Sequence, residues 1–283
     1  MSEPEPSGSR RTRLVIRPRS SAGYVVVALL STVVVFGSMA LAVVNSSGWP
    51  EVKRAFFSGS EFRSTFPDVA DHFLLDVKIF IIAEAVILVL ALGLAIVRSL
   101  PGAVFFPLRA LAVIYTDLFR GVPTILVIYI LGLGVPALQL SGVPNSAVFW
   151  GTVGLILVYT AYVTEVYRAG IESVHPSQEA AARSLGLSRW QSLRHVIVPQ
   201  AVRRVIPPLL NDFIGLQKDT ALVGLIGPVE AFQRSNIYAQ SDFNYTPYFC
   251  AALLFIACTV PLARFTDWLV ARDRRRLQTG RAA

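Results

Sequence analysis

Charge is what this chain has least of. Asp, Glu, Lys and Arg make up 16% of its 283 residues, against about a quarter in a soluble domain. That scarcity excludes a disordered chain and a coiled coil, and it argues against a soluble enzyme. Cysteine is nearly absent. Cys250 and Cys258 cannot make a disulfide framework. Eight residues apart in one apolar run, they lie about 12 Å apart if that run is helical, beyond bridging distance. The three histidines, His72, His175 and His195, are scattered, so neither metal-ligand spacing nor a nucleophile–base–acid constellation is present. No G-x-x-x-x-G-K-[ST] phosphate loop occurs, which excludes ATP hydrolysis by that means. Internal repeats and low-complexity tracts are also missing.

What is present is apolar. Hydrophobic residues are 54% of the chain and mean hydropathy is +0.56, the composition of a protein that crosses a membrane several times. A bilayer core takes about 20 apolar residues as helix. Runs at 24–44, 79–97, 108–135, 147–163 and 247–263 meet that need. A sixth at 205–228 is interrupted by Asp212, Lys218 and Asp219. The expectation is an all-α polytopic membrane protein with six transmembrane helices.

The net charge of +8 then bears on topology rather than on nucleic acid, which is not expected as a partner. With the N-terminus inside, Arg10, Arg11, Arg13, Arg17, Arg19, Arg98, Arg109, Arg168, Arg183, Arg189, Arg194, Arg203, Arg204, Arg264, Arg272, Arg274, Arg275, Arg276 and Arg281 fall on the cytoplasmic side. Only Lys53, Arg54, Arg63, Lys78 and Arg234 fall outside. Both termini are therefore expected in the cytoplasm. The basic start, the apolar run and Ala40-Leu41-Ala42 also fit a signal peptide. The run is longer than a usual signal core, so an uncleaved anchor is expected. The domain reading is a disordered Ser/Pro/Arg-rich start at 1–23, a helix at 24–44 and an extracytoplasmic segment at 45–75 holding an interfacial helix or lid. A membrane domain at 76–271, with a cytoplasmic loop at 170–200, and a basic tail at 272–283 complete it.

That loop is the most informative segment. Ser177 after Pro176 is a good helix start, and Glu179-Ala180-Ala181-Ala182 favours helix. Gly186 fits a helix stop, and Ser188 with Gln191 fits a capping box opening a second helix. Pro199 ends that helix or begins the next. Leu185, Leu187 and Trp190 cluster at the turn. An outward amphipathic hairpin suits a partner's groove or the lipid headgroups.

The loop resembles the "EAA" loop of ABC-importer permeases: Glu179-Ala180-Ala181, then Gly186, with Val196 and Val198-Pro199 closing the pattern. Tyr115-Thr116-Asp117-Leu118-Phe119-Arg120-Gly121-Val122-Pro123 resembles the Y-x-x-x-F-R-G-x-P stretch of polar amino-acid permeases, of histidine/glutamine/glutamate type. Ala161-Tyr162 through Glu165 and Arg168, Pro199-Gln200-Ala201 and Lys218-Asp219-Thr220 are similar to further motifs of that family. By gap-free count the family's motif glutamate falls on Ala180, and Glu179 sits one residue early, about 100° around a helix. Val158-Tyr159 stands where Asn-Ser is frequent, and Ala221 where Ser follows the last motif.

The resemblance implies a five-helix permease core with one added N-terminal helix, in a bacterial cell membrane. It implies import of polar amino acids by alternating access, or of an opine, a sulfur amino acid or another small polar solute. A gradient-driven secondary transporter is the rival class. No cofactor is expected in this chain, because ATP and Mg would bind a separate ATP-binding subunit present in two copies. An extracytoplasmic solute-binding protein and a second permease subunit, the same chain or a related one, are the other implied partners. Ser177, Glu179, Ala180, Ala181, Leu185, Gly186, Leu187 and Trp190 are the implied contacts to the ATPase. Charges at membrane depth mark aqueous paths or partners. Glu84, Asp117, Arg120, Tyr162, Glu165, Lys218, Asp219 and Thr220 are thus the candidate substrate pathway. Asp117 with Arg120, and Glu165 with Arg168, have the spacing to pair on one helix.

Overall fold

The computed structural model describes residues 22–100 and 102–279. The disordered start expected at 1–23 and the end of the basic tail lie almost wholly outside them. The chain divides into two compact units, Met1–Lys53 and Arg54–Ala283. The first holds α1 (Ala22–Val44), an apolar helix without a buried residue. It also holds the start of α2 (Trp49–Phe56).

The second unit opens with α3 (Gly59–Ser99), twice the length of the apolar run at 79–97. Its start is fixed by Ser58, whose hydroxyl accepts from the Glu61 amide, while the Ser58 amide donates to Thr246 Oγ1 at 3.1 Å. The expected extracytoplasmic segment at 45–75 is thus helical over much of its length. The next expected span, 108–135, is not one helix. It forms α4 (Phe106–Gly121) and α5 (Thr124–Ala137), bent 101° at the break between them. Pro123 is the reason: it disfavours helical backbone at Val122, which is extended with ψ 132°.

α6 (Ala147–Glu172) starts on a Ser146 cap and carries Glu165 and Arg168 in its last turns. α7 (Pro176–Ser184), α8 (Arg189–Ser192) and a π-helical turn (Leu193–Ile197) lead into α9 (Val198–Asp219). A 3-10 segment (Thr220–Ile226), α10 (Ala231–Asp242) and α11 (Thr246–Thr279) complete the chain. No strand occurs among the described residues.

Among the described residues four helices are long and apolar enough to cross a membrane, five if the bent α4–α5 pair is one broken span. The expected span at 205–228 is not among them. α9 is long enough at 22 residues, but Pro207, Pro208, Asp212, Lys218 and Asp219 lower its hydropathy. Such a helix suits a place where its polar face meets other helices rather than lipid.

α3 packs through a stripe spaced four residues apart: Ile79, Ala83, Ile87 and Ala91, each at most 2% exposed. It shares one apolar cluster with Leu155, Val158 and Val163 of α6, with Val127 and Ile128 of α5, which packs on α6, and with Leu216 of α9. Small residues set the spacing where dispersion and close packing bring helices together in lipid. At Gly154 a Cβ would lie 3.3 Å from Ile128 Cα, so α5 and α6 approach backbone to backbone. Thr164 Oγ1 donates to Thr160 O at 2.6 Å and reaches Ala91 O at 3.5 Å across the α3–α6 contact. A smaller cluster, Val69, Phe73, Ala231, Cys250 and Ala251, joins α3, α10 and α11 at the bundle end away from α7.

Gly154→Leu should therefore force α5 from α6 at a cost of about 1–3 kcal/mol, typical of overpacking. A lowered unfolding midpoint in detergent would show it, and an unchanged midpoint would contradict the close approach.

Candidate functional site

The loop between α6 and α9 is a hairpin built by two interlocking devices. α7 is capped by His175, whose ring nitrogen accepts from the Ser177 amide at 3.2 Å. The helix begins at Pro176 rather than Ser177, because a proline in the first turn lacks only an amide that would be unsatisfied there. It ends in a Schellman motif: the Gly186 amide donates to Arg183 O at 3.0 Å and the Leu187 amide to Ala182 O at 3.2 Å. Gly186 has φ +84°, the left-handed region that glycine enters without Cβ strain. Two residues on, the Ser188 amide donates to Gln191 Oε1 at 2.9 Å and the Gln191 amide to Ser188 Oγ at 3.2 Å. That reciprocal pair is the capping box legible in the sequence. Pro199 sits in the first turn of α9, so it begins that helix.

The hairpin turns apolar side chains outward. Leu185 is 83% exposed and Trp190 67%. Ser177, Ala180, Ala181 and Gly186 are exposed, with Glu179 and Leu187 half-buried, while Ala182 is the residue of α7 packed inward. The base is clamped. Arg204 of α9 donates to Ser173 O at the end of α6. Gly170 of α6 lies against Val205 so closely that a side chain there would collide. Gln200 bridges to Gln178 at 3.4 Å.

Immediately inward lies a charged lattice. Arg98 of α3 bonds both Glu165 of α6 and, at 3.1 Å, Thr116 of α4. Arg168 meets Glu165 at 2.8 Å and also Glu172. The Glu165/Arg168 spacing thus does pair, while Asp117 and Arg120 are not joined among the described ion pairs. Asp117 is exposed. Arg120 instead stands over the Tyr162 ring, 5.9 Å from its centroid.

Beside the lattice is an open pocket of about 350 Å³ bordered by Arg120, Tyr162, Glu165, Arg204, Pro208 and Asp212. Asp212 Oδ2 is buried without a hydrogen-bond partner among the described residues. Glu84 lies within electrostatic reach of Asp212 and of Tyr167. Tyr162 is 6.2 Å from the Tyr159 ring, whose hydroxyl donates to Asp219 Oδ2 at 2.9 Å. Of the sequence-predicted set, Arg120, Tyr162 and Glu165 border this pocket, while Glu84 reaches it only through Asp212, and Asp219 is tied to Tyr159. Lys218 and Thr220 do not border the pocket. Lys218 lines a separate pocket with Phe232, Tyr248 and Phe255, and Thr220 is fully buried, donating to Gln217 O at 2.9 Å.

Sequence reasoning missed Asp212, Arg204 and Arg98 as members of this region. The signal existed for Asp212: it precedes Asp219 by seven residues, two helical turns along one face of α9. Nothing local marks Arg98, whose partner is 67 residues away.

The family described as binding-protein-dependent transport system inner membrane component matches residues 99–275. A probable glutamine ABC transporter permease of Bacillus subtilis (strain 168) is 33% identical over 195 residues, covering 68% of this chain and 87% of the relative. A solved structure described as an amino acid ABC transporter with histidines superposes with TM-score 0.68 at 26% identity, over 76% of this chain and 98% of the other. The MetNI methionine ABC transporter, inward facing, shares the fold with TM-score 0.59 at 15% identity, over 72% and 95%. With its hairpin, its charged lattice and these matches, the chain belongs to the binding-protein-dependent inner-membrane permeases, as a permease component of the amino-acid ABC importer family.

Proposed function

We propose that this permease imports polar amino acids by ATP-driven alternating access. The observation that carries the reading is mechanical. The exposed Leu185 and Trp190 sit on a hairpin whose base is clamped to the ends of α6 and α9, and those two helices border the Arg120–Asp212 pocket. A push on the hairpin is therefore a push on the pocket walls. An ATP-binding subunit holding ATP and Mg would seat its groove on Leu185, Leu187 and Trp190, a helix-in-groove contact. Two such subunits, a second permease chain and an extracytoplasmic solute-binding protein complete the machine. Both chain termini lie in the cytoplasm by the excess of arginine on that side.

The pocket chemistry fits a zwitterion. Arg120 supplies donors for a carboxylate. The unpartnered Asp212 oxygen, with Glu84 nearby, offers an acceptor for an ammonium group. The name of the glutamine permease relative points to the same cargo class. ATP and substrate must favour different states of one element for transport to be coupled. Here that element is the hairpin with α6 and α9.

Leu185→Asp and Gly186→Pro should leave the chain in the membrane and remove uptake. Capture of the ATP-binding subunit should weaken at least about tenfold, as loss of an interface anchor does. Normal uptake in both would remove the hairpin from coupling. Separately, Asp212→Asn and Arg120→Gln should lower amino-acid uptake while subunit assembly stays intact. Unchanged uptake kinetics in both would exclude the pocket from the substrate path.

A further inference from the structure

At the end of the bundle away from the hairpin, two carboxyls meet in the dry interior. Asp76 of α3 is 2% exposed and Glu230, just before α10, is fully buried. Glu230 directly precedes Ala231, whose amide Asp76 accepts, so the two carboxyls lie close and interact electrostatically. Asp76 Oδ2 accepts from the Ala231 amide at 3.2 Å, and Glu230 accepts from the Gln233 and Phe232 amides at 2.8 and 2.6 Å. Asp76 Oδ1 has no donor among the described residues. Two buried carboxylates brought together offer only acceptors, so they would repel each other and Asp76 Oδ1 would be left without a donor.

Among the described residues no cation offsets this. Arg234 is engaged by Asp68 and Tyr238, and His72 by Asp68. Asp219 takes its proton donor from Tyr159, and Lys218 lies in the pocket beside Phe232 and Tyr248. From the 3-10 segment the pair is faced by Thr220, whose hydroxyl is given to Gln217 O, and by Gly224. A side chain at Gly224 would collide with the Glu230 carboxyl. α11 carries no acidic or basic residue before Arg264.

We propose that Asp76 and Glu230 share one proton, a carboxyl–carboxylate pair that fastens the 3-10 segment and α10 to α3. The proton supplies the donor that Asp76 Oδ1 lacks and cancels the repulsion. It also ties down the segment that begins directly after Asp219. Burial, then the neighbouring Asp76, holds the Glu230 carboxyl above its ordinary range. The folded chain therefore keeps a proton that an unfolded one releases above about pH 4.3. Stability from the pair is full below that value and is lost as pH rises through the raised one. The inference does not rest on the direction or energy source of transport.

The test uses the full chain purified in mild detergent. Infrared spectroscopy at neutral pH should show a protonated-carboxyl signal in the wild type. Because one proton serves two groups, Glu230→Gln and Asp76→Asn should each remove that component, the new Asn amide in the second replacing the shared proton as a donor to Glu230. Both variants should fold, and their unfolding midpoints should fall less than the wild type's between about pH 5 and about pH 9. A component that persists in either single variant, or a wild-type pH slope kept by both, overturns the shared proton. The wild-type spectrum alone decides if neither variant folds: with no protonated carboxyl at neutral pH, the proposal fails.

Discussion

Everything at the α7 end depends on how Glu165 is paired. A carboxylate at that depth is costly unless charge and hydrogen bonds meet it. Arg98 and Arg168 both do so, with side chains 14% and 33% exposed. Because Arg98 comes from α3 and also bonds Thr116 of α4, one residue of α6 gathers three helices. Remove the glutamate and Arg98 keeps only the Thr116 hydroxyl and Arg168 only Glu172, and leaving a partly buried charge under-compensated costs more than the pair contributes. The lattice therefore anchors the last turns of α6, and the Arg204–Ser173 bond holds α9 against them.

From that fixed point the hairpin acquires its function. Neither α7 nor the four residues of α8 could hold a shape alone, since short helices are marginal in water. The Schellman motif and the capping box satisfy the backbone between them, and the clamps at Gly170 and Arg204 prevent the pair from swinging freely. The result is a stiff projection with an apolar tip. In the proposed mechanism that stiffness would turn a contact at Leu185 and Trp190 into a displacement of α6 and α9. The pocket between those helices keeps an Asp212 oxygen that has no hydrogen-bond partner among the described residues.

The all-α membrane architecture was legible in the sequence because lipid demands long apolar helices and little else. The hairpin was legible because its caps are local: Gly186, Ser188 and Gln191 carry their own geometry. The bend between α4 and α5 was missed although Pro123 was in view, since hydropathy runs on unbroken through it. α9 was drawn from 205 to 228 as a span, but helix begins at Val198 under Pro199 and gives way to a tighter turn after Asp219. The partners of Arg98, Asp212 and Asp76 are fixed by tertiary packing between distant segments, which no spacing along the chain announces.

The central claim is that the hairpin and the Arg120–Asp212 pocket move as one. The most direct measurement is labelling of a single cysteine placed at Val166 on the pocket wall, with Cys250 and Cys258 replaced by alanine. The probe is a membrane-impermeant maleimide, applied from each side of reconstituted vesicles holding the assembled transporter, with and without a non-hydrolysable ATP analogue. The account predicts that the side giving access switches with nucleotide and that Leu185→Asp abolishes the switch. Access from the same side in every nucleotide state, or a switch that survives Leu185→Asp, would contradict it.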